Sequence, residues 1–231
     1  MILHNYDRVR IVNLQHRRDR RAEMTEELAR IGMLDDPRVA FFAAYRFSDP
    51  GCFRRPGSRG AFHSHLHILK DAADAGESVA ILQDDCDFLP AIHTYRPQAD
   101  VDVFYGGYHA LEPGDLHNSP ISEAHFMGFS ADAARKAAAY LDALLDPDFP
   151  PDEAAMREPG YTPGIRPPID GALVWFRRRH RELRTAFALL SVQRSSRTDI
   201  AERRYYDRVW GLRQTAQTMR SVTRKVSRLR A

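Results

Sequence analysis

The chain has little cysteine, no long apolar run and little net charge, and each shortage excludes something. Cys52 and Cys86 are the only cysteines. Two thiols build neither a disulfide framework nor zinc-type ligand spacing, which fits a reducing cytosol. No uninterrupted apolar stretch approaches the roughly 18 residues that a bilayer requires, and the N-terminus lacks a charged region followed by an apolar one. The expectation is a cytoplasmic protein that neither spans a membrane nor leaves by a standard signal. The net charge is +3 over 231 residues. Residues 201–231 hold nine Lys/Arg against Glu202 and Asp207, a local balance of +7, so residues 1–200 come to −4. Basicity belongs to the tail, and no nucleic acid partner is indicated for the main body.

What is present suits one large α/β domain: 43% of residues are hydrophobic and 28% charged, ordinary for a soluble protein with a substantial core. Val9 to Leu14 reads as a first strand, and a helix is predicted from about Arg20 to Ile31, stopped by Gly32. Arg20 and Arg21 fall in its first turn, where the helix dipole disfavours cations, so an anionic group nearby would explain them. A second strand is expected at Val39 to Ala44, a loop from Gly51 to Gly60, and a helix from about Ala61 to Ala75 with His65 on its core stripe. His63 and His67 share the opposite face with i, i+4 spacing, but the helix lacks the Glu of an H-E-x-x-H motif, and a solvated pair is the plainer reading.

Asp84-Asp85-Cys86-Asp87 directly follows the apolar run Val79 to Leu82. Three carboxylates at the mouth of a buried strand repel one another and lose hydration, a cost that a divalent cation offsets. Ligands in open α/β sheets bind beyond the carboxyl ends of strands. Oxygen ligands favour Mg²⁺ or Mn²⁺, commonly shared with substrate phosphates, so Asp84, Asp85 and Asp87 point to a nucleotide diphosphate. The alternative is that Asp84 and Asp87 cap the next turn.

Further strands are predicted at Asp102 to Tyr105, ending in Gly106-Gly107, and at Glu123 to Phe129, where His125 either faces a site or is structural. Ser130 caps a helix to about Leu145. Residues 146–168 hold seven of the fourteen prolines and read as a long loop of the kind that walls an acceptor site. Asp170, just beyond it, is placed either to act as a base or to cap residues 171–180. Phe187 to Val192 reads as a last strand.

These segments resemble, in order, those of glycosyltransferase family twenty-five, the lipopolysaccharide and collagen glycosyltransferases. Val12-Asn13-Leu14 with Arg17-Arg18-Asp19-Arg20-Arg21 is similar to its "V-I-N-L-x-R-R-x-D-R" opening, Gly60 to His65 to "G-x-x-x-S-H", and Ile81 to Asp85 to "I-L-E-D-D". Downstream, Ala124 to Ser130 with Ala133-Ala134, then Pro168-Ile169-Asp170, then Gln193 with Ser196, Asp199 and Ile200, resemble "A-Y-x-x-S-x-x-G-A", "P-[IV]-D" and "Q…S-D-I". Gln83 stands where the family has Glu, removing one anionic group beside the aspartates.

The resemblance implies a GT-A type α/β/α sandwich with a central mostly parallel sheet. It places a nucleotide-sugar half at residues 1–110 and an acceptor half at 111–200; residues 201–231, beyond the resemblance, read as a basic helical tail from their mixed apolar and basic residues. It implies a nucleoside-diphosphate sugar donor, UDP-linked in many such enzymes, contacted by Asn13, Leu14 and Arg17, with Ser64 and His65 nearby. Mn²⁺ or Mg²⁺ would be held by Asp85 and Asp87, with Asp84 as ligand or close support, and a glycan or glycolipid hydroxyl would be the acceptor. Asp170 is the candidate general base of an inverting transfer; a retaining route would assign it to acceptor binding. The tail would dock on the domain, join another subunit, or rest on an anionic membrane. Two rival classes stay open: a metal-dependent phosphohydrolase using His63, His65 and the aspartates, and a nucleotide-sugar binding protein without activity.

Overall fold

The computed structural model describes residues 1–97, 100–157 and 161–194. β1 (Arg8–Asn13), α1 (Arg18–Arg30), β2 (Val39–Ala43), α2 (Pro56–Ala75) and β3 (Val79–Gln83) form two successive crossovers, and both β2 and β3 lie parallel to β1. The short β4 (Cys86–Phe88) then leaves this sheet. β5 (Val103–Ala110), β6 (Ile121–Phe129), α3 (Ala131–Ala143), α4 (Ile169–Arg179), β7 (Thr185–Phe187) and β8 (Ser191–Gln193) follow.

Six strands make the main sheet in the order β2-β1-β3-β6-β5-β7, and β6 alone runs against its neighbours. The sheet is therefore mixed but mostly parallel, and it runs through both halves of the chain. Its central strands are buried on both sides, as a parallel strand flanked by helices must be. Val79 and Ile81 of β3 enter the core beneath α2, α3 and α4, whereas Ala80 and Leu82 enter a second core with Met24 and Leu28 of α1. The result is the expected α/β/α sandwich.

Several boundaries differ from expectation for local reasons. α2 begins at Pro56 rather than near Ala61, because proline suits the first helical turn, where its missing N–H has no partner to lose. Gly60 lies inside that helix against the chain after β2: a Cβ there would meet Tyr45 O at 2.5 Å. Gly76 ends α2 at φ 67, a left-handed cap. Ser130 caps α3 as expected, accepting the Ala133 N–H at 3.2 Å. The strand expected at Phe187 to Val192 is split. After β7, the Ala188 and Leu190 amides donate to Tyr105 O (2.9 Å) and Gly106 O (2.8 Å), and β8 then pairs antiparallel with β4.

The described residues of the proline-rich stretch form a loop with one short turn of 3-10 helix, Ala155–Arg157. It is stitched to the start of α2, since the Arg166 amide donates to Cys52 O at 2.7 Å and Arg166 bridges Phe53. Ser196, Asp199, Ile200 and the basic tail lie outside the described residues. Among the described residues, no helix is long and apolar enough to cross a membrane.

Candidate active site

Because β1, β2, β3 and β5 are parallel, their carboxyl ends share one edge, and β6 enters the sheet there through Glu123 to His125. The acidic cluster lies at this edge. It is not a solvated turn: Asp84 and Asp85 are 5% exposed and Asp87 is 1% exposed. Carboxylates so buried need partners, and distant parts of the chain supply them. Asn13 donates to Asp84 Oδ2 at 2.7 Å, and Arg20 contacts Asp84 Oδ1 at 2.9 Å and Asp85 Oδ2 at 3.2 Å. The wrongly placed cation of the α1 first turn thus has its anion. Its neighbour Arg21 lies over the Phe41 ring, 4.0 Å from the centroid. Gln193 donates to Asp85 Oδ2 at 3.2 Å.

Asp87 belongs to β4 and faces Arg194, whose Nε donates to Asp87 Oδ1 at 2.8 Å; the same guanidinium reaches Glu23 Oε2 at 2.8 Å and its backbone amide donates to Asp85 O at 2.6 Å. Among the described residues, no three His, Cys, Asp or Glu side chains are arranged to hold a metal ion. The set of three aspartates therefore does not fit a metal as it stands, because Asp87 is committed to Arg194. Asp84 and Asp85 fit better: Asp85 Oδ1 is buried with no hydrogen-bond partner among the described residues. Burial pushes the Asp85 carboxyl above its ordinary pKa, Arg20 opposes the shift and the Asp84 charge adds to it.

A cleft of about 260 Å³ opens beside Asp84. Leu14, Arg17, Arg20, Arg46, His65, Gln83 and Asp84 line it together with Tyr45 and Phe47, which stack at 15° between ring planes. Leu14, Arg17, His65 and Asp84, four of the residues expected at the donor, meet here. Asn13 stands behind them, holding Asp84. Ser64 is fully buried: its hydroxyl donates to Gly60 O (2.7 Å) and accepts the Tyr45 amide (2.9 Å), so it positions Tyr45. His65 donates through Nδ1 to Ala61 O at 2.9 Å, and burial pushes its pKa down to about 4, leaving the ring neutral. His63 and His67 are half-buried against Phe47 and Tyr45, with centroids 5.1 and 4.7 Å apart, rather than a solvated pair.

Gln83 has a use that Glu would lack: its amide donates to Ala124 O at 3.4 Å across β3 and β6. There β6 is irregular. Register shifts interrupt its pairing with β5 around Gly107, and Glu123 takes φ 55, a left-handed conformation unusual for a side-chain-bearing residue. The kinked peptides point inward. The amides of Ala124 and Glu123 hold the Asp170 carboxylate, and the Glu123 carbonyl accepts the His125 Nδ1–H at 2.6 Å. That bond fixes the tautomer and leaves His125 Nε2, buried, with no partner among the described residues. His125 packs over Gly107, where any Cβ would collide with its ring. Burial pushes Asp170 up to about 6; the two amides oppose this, and the charges of Glu123 and Asp85 add to it. Asp170 faces a second cleft of about 530 Å³.

Sequence reasoning brought Asp84, Asp85 and Asp170 to one region but missed Arg20 as partner of the aspartates, Arg194 and the Glu123 kink. The misplaced first-turn arginine was the one signal that could have found Arg20. No family model matches the chain, and no curated protein does. Among solved structures it is similar to a glycosyltransferase involved in the glycosylation of the major capsid of PBCV-1. The identity is 10% and the TM-score 0.46, over 83% of this chain and 94% of that chain. A likeness so distant carries no argument about activity, which has to rest on the residues themselves.

Proposed function

We propose that this chain is a glycosyltransferase of the hexosyl type, moving a sugar from a nucleoside-diphosphate sugar, UDP-linked in our reading, to an acceptor hydroxyl. The acceptor would be a cell-surface glycan or lipopolysaccharide precursor on the cytoplasmic side. One observation carries the reading: Asp84 lines a cleft at the carboxyl ends of the strands, beside aromatic and arginine side chains, while Asp170 lines a second, larger cleft.

In this reading Tyr45 and Phe47 take the nucleobase on their faces, and Arg17 and Arg46 meet the phosphates. Asp84 and Asp85 would hold Mn²⁺ or Mg²⁺, which when bound neutralises the diphosphate leaving group. Asp170 accepts the proton of the acceptor hydroxyl as that oxygen bonds to the anomeric carbon and the bond to the diphosphate breaks, which inverts the configuration. A carboxyl at about 6 is largely ionised at neutral pH and is a better base than an ordinary aspartate. The phosphohydrolase reading loses support, since His65 is tied to Ala61 O and His63 packs on aromatic rings. A nucleotide-sugar binding protein without transfer is favoured by one feature, the arginines seated on all three aspartates.

A thermal-shift screen of UDP, GDP, CMP and their sugars, with and without Mn²⁺, tests the donor. A ligand that binds only the folded state raises its melting temperature. Metal-dependent stabilisation by one nucleotide sugar is the expected result, and no stabilisation by any of them sinks the proposal. Stabilisation without release of nucleoside diphosphate across an acceptor panel would select the binding protein instead.

A further inference from the structure

The acidic cluster has a cation of its own, and where that cation sits is informative. Among the contacts of Arg20 are two made by one nitrogen: Nη1 lies 2.9 Å from Asp84 Oδ1 and 3.2 Å from Asp85 Oδ2. A single positively charged N–H group therefore bridges two carboxylates. The three side chains are 12%, 8% and 7% exposed, so the bridge is buried and little screened by water.

The other contacts of the two aspartates are with neutral groups. Asp84 Oδ2 accepts from the Asn13 amide at 2.7 Å, and Asp85 Oδ2 accepts from the Gln193 amide at 3.2 Å. Asp85 Oδ1 has no hydrogen-bond partner among the described residues. Both carboxylates are thus fixed by amides, while the charge that bridges them comes from Arg20. α1 supplies that charge from its first turn, where the helix dipole disfavours a cation. Arg20 and Asp84 also line the smaller cleft, so the bridge borders the space assigned to the donor.

We infer that Arg20 and a divalent metal ion are alternative occupants of the Asp84 and Asp85 carboxylates, and that Arg20 has to leave the pair before the pair takes the ion. This rests on the use of a metal in the glycosyltransferase reading. An ion bonded to both oxygens at about 2.1 Å would share with Nη1 the space between them, and like charges at such range repel strongly. With Arg20 in place the free protein resists metal. The diphosphate of a donor, entering the cleft that Arg20 lines, offers the guanidinium an anion in exchange for the two it gives up.

The test is a titration of the metal-stripped full chain with Mn²⁺ alone, read by the electron paramagnetic resonance signal of the free ion. Arg20→Gln should bind Mn²⁺ about 10–100-fold more tightly than the parent, the range of a charge-assisted hydrogen bond. Arg21→Gln removes the same charge one residue along, from a side chain that lies over Phe41 and not on the aspartates. Its affinity should stay within about fivefold of the parent, the reach of a surface charge. Should Arg20→Gln melt early for want of its bridge, Arg20→Lys, a point charge without the planar fork, should show a smaller gain of the same sign. Mn²⁺ should also raise the Tm of either Arg20 variant by more than that of the parent. Equal Mn²⁺ affinity in the parent and the Arg20 variants, binding to none of them, or an equal gain in Arg21→Gln overturns the inference. Failure of the donor screen with the Arg20 gain intact would overturn the transferase reading alone, and a successful donor screen without that gain would overturn this inference alone.

Discussion

Replacing Asp87 by Asn separates two roles for the acidic cluster. Asp87 is 1% exposed, and the Arg194 side chain that it neutralises is 9% exposed, with Nε 2.8 Å from Asp87 Oδ1. Removing one partner of a buried ion pair costs about 3–5 kcal/mol, because the other charge stays buried without compensation. Arg194 keeps Glu23 Oε2 at 2.8 Å, but the Glu23 side chain is 47% exposed and the contact is screened, so the loss belongs at the low end. We expect about 3 kcal/mol, or roughly 6–12 °C in Tm for a chain of this length. Urea denaturation followed by circular dichroism, in EDTA so that metal plays no part, measures it. Arg194→Met in the same background should recover part of the loss, since it removes the stranded charge. If Asp87→Asn unfolds within about 0.5 kcal/mol of the parent, the ion pair holds nothing together and Asp87 returns to the metal ligands.

Two further substitutions, at Asp170 and at Gly107, have defined outcomes. Asp170→Asn should lower turnover by about 10²–10⁴-fold with donor stabilisation almost unchanged. With a base at about 6, the parent should run about tenfold slower at pH 5 than at its plateau, a limb that the variant lacks. The same raised pKa sets a stability effect of definite sign. The folded state holds this proton more tightly than the unfolded chain, so the contribution is present below about pH 4 and is lost as pH rises through 6. Asp170→Asn should therefore flatten part of the fall in Tm between those values, and a parallel pH profile in both proteins would refute the assignment. Gly107→Ala puts a methyl group into the His125 ring and Ser191 Oγ, and should cost about 1–3 kcal/mol by overpacking. An unchanged thermal melt would show that His125 is free to move aside.

Much of the sheet was legible because its strands are short apolar runs with helices between them, a pattern with few solutions. Ser130 and Gly32, the glycine stop of α1, were legible as caps. The early start of α2 was not, since Arg54-Arg55-Pro56-Gly57 reads as a loop until proline is placed at a first helical turn. β4 was hidden for a different reason. Local rules read Asp84, Asp85 and Asp87 as metal ligands or turn caps, whereas partners from far along the chain are what allow their burial: Arg20 is 64 residues from Asp84, and Arg194 is 107 from Asp87. Long-range compensation of charge leaves almost no local trace. The exception is Arg20, whose unfavourable place in the helix dipole was itself evidence of an anion nearby.

The Glu123 kink was the least legible feature, and the physics says why it persists. Glu is not a residue that favours φ near 55, and the conformation costs on the order of 1–3 kcal/mol. A regular β6 would alternate its carbonyls and amides between β3 and β5, leaving none for side chains. The kink frees the Glu123 and Ala124 amides for Asp170, the Glu123 carbonyl for His125 and the Ala124 carbonyl for Gln83. Groups from both clefts are thereby held by three consecutive peptide units, so a shift of one is transmitted to the others. Each bond taken singly contributes about 0.5–1.5 kcal/mol, more where it meets a carboxylate. Together they exceed the strain, which is why the strand that lies between Gln83 and Asp170 is bent at Glu123.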